Sequence, residues 1–551
     1  MIVAPESPLL KYSAIELSHA LHSRQVTAVD LMHATLHRID AINPQINAVV
    51  SLHQDRDRLM EEARCADLLL DEKAAAAKKN NYDDDDASDS SLFNNDDDWL
   101  RGIPMAIKDL EDAQGFPTTK GCPLYGTYNN NNDEWQFENQ TQDAPYVRRL
   151  RTAGAIIIGK TNTPEFGCGC HSYNPIFGTT VNPIDMSKAA GGSSGGAAAA
   201  LASYMFCALD GSDKMGSLRN PAGWNSLYSL RPTVEWMVEE VVVGEEEGKE
   251  GDVVDDEQLD VKDNKVVVEM PWPMSTIGPM ARCPEDLAML LQTMIPNEKK
   301  ALFFDATTSI LDQSSEQLSQ IVQGTTIGWL ADWGGDYPME DGVLQQCKDA
   351  LDVFQKGQHV DIQHVSTPPF SSQELWNAWI SIRSYLILNS LHEQIGGDRC
   401  DVLPTLKERG VKAEVIYECG RGFELTSEQI HAHLRTVQAW SKCAEHEFQT
   451  NYDFLALPSS QMYPFDASLD WPKSIAGKKM DTYHRWMEVM VPVTLLGLPC
   501  VTIPAGNNNG GGSGGLPIGV QIFGPKGCDA KLLQLACWYS QCVNGEYLND
   551  S

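Results

Sequence analysis

Residues 191–221 read GGSSGGAAAALASYMFCALDGSDKMGSLRNP. Two serine-bearing glycine turns, Ser193 and Ser194 in GGSSGG and Ser217 in GSDKMGSLR, are joined by an Ala-rich run that makes roughly three helical turns at about 3.6 residues each. Glycines on both sides of a serine let the backbone enter positive φ, which exposes the hydroxyl and aims N–H groups at a common point. Two such turns around one helix point to a single site.

Outward from this stretch, 101–108 (RGIPMAIK) and 153–160 (AGAIIIGK) read as β-strands, the second with the continuous apolar centre of a strand covered on both faces. Further strands are predicted at 326–330, 454–457, 500–503 and 519–523. Ser13 with Glu16 forms a capping box before an amphipathic helix. Thr27 with Asp30 opens a second, whose apolar stripe runs through Leu31, Thr35, Ile39 and Ile42 and which Asn43-Pro44 is expected to end. Helices are also predicted over 55–70, 146–152, 197–209 and 530–542. Strands alternating with helices predict an α/β fold. No internal repeat and no clean linker divides the 551 residues, so the polar segments between core-like elements read as insertions in one large domain.

The net charge of −34 has a local origin. Residues 83–98 carry −8 and residues 239–263 carry −10, about half the total between them. Like-charge runs of this kind read as solvated inserts, and the acidity excludes a nucleic-acid partner, because phosphate contacts need clustered Lys and Arg. The 14 cysteines are scattered without a Cys-x-x-Cys pair, and the first residues show no basic segment followed by an apolar one. The expectation is a reduced, cytoplasmic protein. No apolar run reaches the roughly 20 residues that span a bilayer, so no membrane span is expected.

Three motifs yield to duller readings. Gly154 to Thr161 fits the phosphate-loop pattern, yet its four intervening positions are the strand itself, where a phosphate loop would follow one. Gly191-Gly-Ser193-Ser-Gly195 fits a nucleophile elbow, but no downstream histidine is singled out to complete a hydrolase triad. Cys168-Gly-Cys170-His171 offers three potential metal ligands within four residues, which do not readily close a tetrahedral site alone, and no matching cluster lies elsewhere.

The decisive pattern is a series in fixed order: Gly102-Ile-Pro-Met-Ala-Ile-Lys108-Asp109, Gly159-Lys-Thr-Asn-Thr-Pro-Glu-Phe166, Gly191-Gly-Ser-Ser-Gly-Gly196, Gly211-Ser-Asp-Lys-Met-Gly-Ser217-Leu-Arg219. After these come Thr276-Ile-Gly-Pro-Met-Ala-Arg282, Gly497-Leu-Pro-Cys-Val-Thr-Ile-Pro504 and Gly515-Leu-Pro-Ile-Gly-Val-Gln521. The series, with Ser193 and Ser217 separated by 24 residues, resembles the amidase signature family, in its stand-alone branch, over most of the chain. The resemblance implies a single large mixed β-sheet flanked by helices, one amidase domain over 1–551, and surface inserts at 78–98, 128–143, 239–264 and 506–515.

It also implies an amide hydrolase working through a seryl acyl-enzyme. By position, Ser217 is the nucleophile, Ser193 the bridging serine after a cis peptide bond, and Lys108 the base. Lysine titrates near 10.4 in water and accepts a proton at neutral pH only if its surroundings favour the neutral form. The backbone of Lys214, Met215, Gly216 and Ser217 is expected to hold the oxyanion, and Gly167 and Cys168 to lie against the substrate. Ser194 is expected to hydrogen-bond within its own turn, and Asp213 to pair with Arg219 and brace the loop. The resemblance implies no metal and no organic cofactor, a small-molecule amide substrate, and leaves a homodimer open.

Two further readings stay open beside this one. One is the A-type subunit of a glutamine-dependent amidotransferase; the other is a catalytically silent scaffold, motivated by Lys214, Met215 and Ser229, where many members carry other residues.

Overall fold

The computed structural model describes residues 5–80, 98–129, 134–238, 272–300, 315–356, 359–506 and 515–545. Its centre is an eight-stranded mixed sheet. In spatial order the strands are Val360–His364, Thr325–Trp329, Phe454–Pro458, Ile518–Phe523, Cys500–Ala505, Tyr228–Arg231, Thr276–Ala281 and Ala208–Asp213. The first three run parallel and the remaining neighbours pair antiparallel. Helices pack along it, so the α/β expectation of one large mixed sheet flanked by helices holds.

Pro104–Lys108 and Ile156–Thr161 form a separate parallel pair, buried along their whole length. This pair is tied to the edge strand Ala208–Asp213 through a side chain: the Lys108 N–H donates to Asp210 Oδ1 at 3.1 Å. The helix Gly195–Ala202 packs against it, so tightly that a Cβ on Gly196 would stand 2.3 Å from the Asn162 nitrogen. The small residues of the Ala-rich run are thus what lets the helix sit on the strand that follows Ile156.

A second, smaller apolar cluster includes Cys122, Cys168, Leu388, Val402, Val415 and Cys419. It joins the helices Ser372–Ile395 and Ala413–Glu424 to the loop around residue 168, and so roofs the region where the serine turns lie.

The Ser13–Glu16 capping box forms with both reciprocal hydrogen bonds. Pro44 does not end its helix, which runs Ala28–Ile46 and closes on Asn47 in the left-handed conformation. The one N–H that proline removes would have met the carbonyl of Asp40, an exposed position that water can serve. The third helix is longer than expected, Arg56–Asn80, while the Ala-rich helix stops at Ala202 and the chain re-forms as strand from Ala208.

Of the inserts named from sequence, 239–264 and nearly all of 78–98 and 506–515 lie outside the described residues. Asp98 is described and buried, with ion pairs to Lys73 and Arg101. Within 128–143, Thr127–Asn129 pairs with Glu134–Gln136 as a short hairpin, and Asp143 accepts from the Gln114 N–H at 2.7 Å and Arg151 Nε at 3.0 Å. Among the described residues no helix is long and apolar enough to cross a membrane.

Candidate active site

Lys108 ends its strand with the side chain fully buried. Its Nζ lies 2.7 Å from Ser193 Oγ, 2.8 Å from Ser194 Oγ and 3.0 Å from Ser212 Oγ. Burial lowers its pKa to about 8, against the opposing field of Asp210. Asp210 is itself buried, and burial pushes its carboxyl up while the Tyr146 hydroxyl donates to it at 2.9 Å. A hydroxyl both donates and accepts, so three of them can solvate either an ammonium or an amine without fixing which is present. The sequence places Ser194 in contact only with its own turn; the structure puts it on Lys108, and adds Ser212, which no motif singles out.

The Gly192–Ser193 peptide bond is cis. Gly191 before it has φ +83°, and a Cβ there would stand 2.6 Å from Asn220 Oδ1, so only glycine fits. The Ser194 N–H donates to the Ser217 carbonyl at 3.2 Å, which ties the two serine turns together.

Asp213 braces the second turn, as expected. Its carboxylate accepts from Arg219 Nη2 at 2.9 Å and Nε at 3.0 Å, and from the N–H groups of Gly216 at 2.9 Å and Leu218 at 3.1 Å. Arg231, a strand residue that sequence reasoning misses, adds a third cationic contact at 3.3 Å. Burial alone would raise the Asp213 carboxyl, but these two guanidinium groups hold it well below the usual carboxylate range. The Gly216 N–H is therefore already engaged by Asp213, and the loop's other N–H groups are those of Lys214, Met215 and Ser217. Met215 is buried in the main core and is not among the residues with positive φ, so its side chain imposes no backbone strain there.

Ser193, Ser212, Lys214, Met215 and Ser217 line one cavity of about 100 Å³ together with Gly167 and Cys168. Gly167 has φ +67°, and a Cβ there would lie 3.3 Å from Ser193 Oγ and 3.0 Å from Leu110 Cδ1. The same cavity is also lined by Ile387 and Arg383 of the helix Ser372–Ile395 and by Tyr483 and His484. Arg383 Nε donates to Glu418 Oε1 at 2.8 Å, and the Tyr483 hydroxyl donates to the same oxygen at 2.6 Å. Burial would raise Glu418, but Arg383 beside it keeps it below the ordinary value. None of these four wall residues carries a recognisable local motif.

The tempting motifs take structural roles. Lys160, in the phosphate-loop lookalike, is a fully buried strand residue 3.7 Å from Asp109 Oδ1. His171 is held near neutral by burial, which lowers its pKa to about 4, and its Nε2 meets the Ala467 carbonyl at 3.0 Å. Among the described residues the only cluster of potential metal ligands is the exposed Asp398, Cys400 and Asp401, which does not include the 168–171 corner.

The sequence profile of the family described as Amidase matches residues 30–533. Among curated relatives, the A subunit of the glutamyl-tRNA(Gln) amidotransferase of Halorhodospira halophila is 26% identical, with 96% of each chain covered. The corresponding protein of Thermus thermophilus is 27% identical, covering 97% of this chain and 98% of its own. Among solved structures, a bacterial aryl acylamidase of the amidase signature enzymes superposes with a TM-score of 0.74 at 20% identity, covering 99% of both chains. The native peptide amidase from Stenotrophomonas maltophilia gives a TM-score of 0.67 at 19% identity, covering 98% of both.

Proposed function

The chain belongs to the amidase signature family, and on that premise we propose that it hydrolyses a carboxylic amide through an acyl-enzyme on Ser217, with Ser193 as relay and Lys108 as base. The observation that carries this reading is the environment of Lys108 Nζ, which is buried, 2.7 Å from Ser193 Oγ, and shifted by burial to about 8. At pH 7 about a tenth of such an amine is neutral, whereas an unperturbed lysine would offer well under a thousandth.

Neutral Lys108 takes the Ser193 hydroxyl proton as Ser193 takes that of Ser217, and Ser217 Oγ bonds to the amide carbon. The carbonyl π pair moves onto oxygen, where N–H groups from among those of Lys214, Met215 and Ser217 stabilise it; one such donor is worth about 2.7 to 4 kcal/mol. Collapse breaks the carbon–nitrogen bond, and the leaving nitrogen receives the proton back through Ser193. Water then adds to the ester with the same relay and frees the carboxylate. Each step uses side chains and backbone N–H groups of this chain together with water, and calls for neither metal nor organic cofactor.

A fluorophosphonate probe tests the assignment. It should label the folded wild type at one site and fail on Ser217→Ala; an unlabelled wild type would sink the hydrolase reading. The curated relatives support a second reading, the A-type subunit of an amidotransferase that draws ammonia from glutamine. Glutamine hydrolysis that appears only when the other subunits of such an enzyme are added would favour it. A net charge of −34 lends no support to tRNA contact by this chain itself.

A further inference from the structure

The catalytic relay leaves one charged group of the cavity without a task. Lys214 follows the strand Ala208–Asp213, three residues before Ser217, and its side chain lines the same cavity. Among the described residues its Nζ forms no hydrogen bond and no ion pair. The groups facing it are Arg383, Glu418 and Cys168. Arg383 is already spoken for by Glu418 and Tyr483, and burial keeps the Cys168 thiol protonated. Lys214 and Arg383 against Glu418 leave one positive charge uncompensated. Burial, then Arg383, lower Lys214 to about 8, which leaves most of it charged at pH 7. Lys214 is half-buried; an ammonium held partly out of water without a counter-ion is unfavourable, and the deficit disappears if the counter-ion arrives with the ligand.

A second observation on the lining agrees. His484 is 2% exposed, and neither ring nitrogen has a hydrogen-bond partner. Burial holds the ring neutral, with its pKa lowered to about 3, so it offers one N–H donor. Lys214 and His484, each without a hydrogen-bond partner, thus both line a cavity of about 100 Å³, far below the roughly 300 to 1,000 Å³ of sites for drug-sized ligands. A single negative charge on a small group meets both conditions, and a phosphate dianion would overcompensate.

We propose that the site takes short amides that carry a carboxylate within a few bonds of the carbonyl, with the carboxylate bound by Lys214 Nζ and accepting a second hydrogen bond from His484. The simplest members are half-amides of short dicarboxylic acids. This rests on the reading of Ser217 as the acylated residue.

The test compares ammonia release from succinamate with succinamide, and from glutaramate with glutaramide, on the full chain. Each diamide replaces the carboxylate with a neutral group of the same shape. Wild type should favour the half-amide in kcat/KM by on the order of ten- to a hundredfold, the scale of one charge-assisted hydrogen bond. Lys214→Met should bring that ratio toward one, and Lys214→Arg should restore most of it. The ratio is taken within each protein, so a general loss of turnover from a disturbed loop cancels. A measurement on wild type alone stands beside it: glutarate, but not glutaramide, should slow fluorophosphonate labelling. Labelled wild type that shows no preference for the half-amide, no protection by glutarate, or a ratio unmoved in Lys214→Met overturns the carboxylate assignment and leaves amide hydrolysis standing. Absence of both labelling and turnover removes the hydrolase reading, and the carboxylate assignment with it.

Discussion

Lys108 Nζ stands 2.7 Å from Ser193 Oγ at the end of a strand whose every residue is buried. Strand Pro104–Lys108 reaches this point because it runs parallel to Ile156–Thr161 and is pinned to Asp210 on the edge of the large sheet. The serine arrives from the other direction, on the turn that opens the Ala-rich helix. The base and the relay therefore sit on two rigid elements, with only the turn at Ser217 left to be shaped by its own hydrogen bonds.

Lys108→Met should abolish turnover of an uncharged amide while keeping the fold. The substitution preserves the length of the stem in a buried site and removes the group proposed to take the Ser193 proton. General-base contributions run to about a hundred- to ten-thousandfold, so kcat should fall by at least that much. Steady-state rates and a melting curve on the same sample separate the two effects, and activity within a few-fold of wild type would show that the base lies elsewhere.

The turn carrying Ser217 depends on Asp213. Asp213→Ala strands the buried Arg219 and Arg231 and releases the N–H groups of Gly216 and Leu218. Breaking a buried pair from one side costs about 3 to 5 kcal/mol. A clear drop in melting temperature is expected together with loss of fluorophosphonate labelling, because the same carboxylate orders the turn and balances the charge. Full labelling in this variant would show that the turn is held by its neighbours instead.

The groups that bear the proposed chemistry are legible in the sequence because each lies in a short motif with its own glycines. The same holds for strands with an apolar run, such as 153–160. Ala208–Asp213 and Thr276–Ala281 do not read as strands: ALDGSD and TIGPMA show neither alternation nor a continuous apolar centre, while the alternation of YSLR over Tyr228–Arg231 is only four residues long. In ALDGSD the polar residues are there for the site, Ser212 on Lys108 and Asp213 on Arg219, and that use erases the strand pattern. Arg383, Glu418, Tyr483 and His484 are invisible for a different reason. They come together only when Arg383 on the helix Ser372–Ile395, Glu418 on Ala413–Glu424 and the segment of Tyr483 and His484 pack against one another, an outcome of contacts between segments more than 200 positions downstream of Lys108.

Gly167 tests how closely backbone must approach the relay. Its φ of +67° and the 3.3 Å between a built Cβ and Ser193 Oγ make Gly167→Ala both strained and crowded. The left-handed conformation alone costs about 1 to 2 kcal/mol for a residue with a side chain. The expected result is a modest fall in melting temperature with a disproportionate fall in kcat, ten-fold or more, as Ser193 is displaced. A fall in stability without change in kcat would mean that Leu110 absorbs the added methyl and the serine does not move.

The pH dependence discriminates between the two lysines of the cavity. Lys108 must be neutral to accept a proton, and burial has lowered its pKa from 10.5 to about 8. For a diamide, kcat/KM should therefore rise about tenfold per pH unit up to about 8 and level off above it; an unburied lysine would put the inflection near 10. Lys214, also lowered to about 8 by burial and by Arg383, acts in the opposite sense, because it must be charged to hold a carboxylate. For a half-amide the rising limb from Lys108 then meets a falling limb from Lys214, and the profile should be a bell centred near 8. In Lys214→Met the bell should open into the plateau seen with the diamide. A bell that persists in this variant would assign the falling limb to another group, and a diamide profile flat from pH 6 to 9 would remove Lys108 as the base.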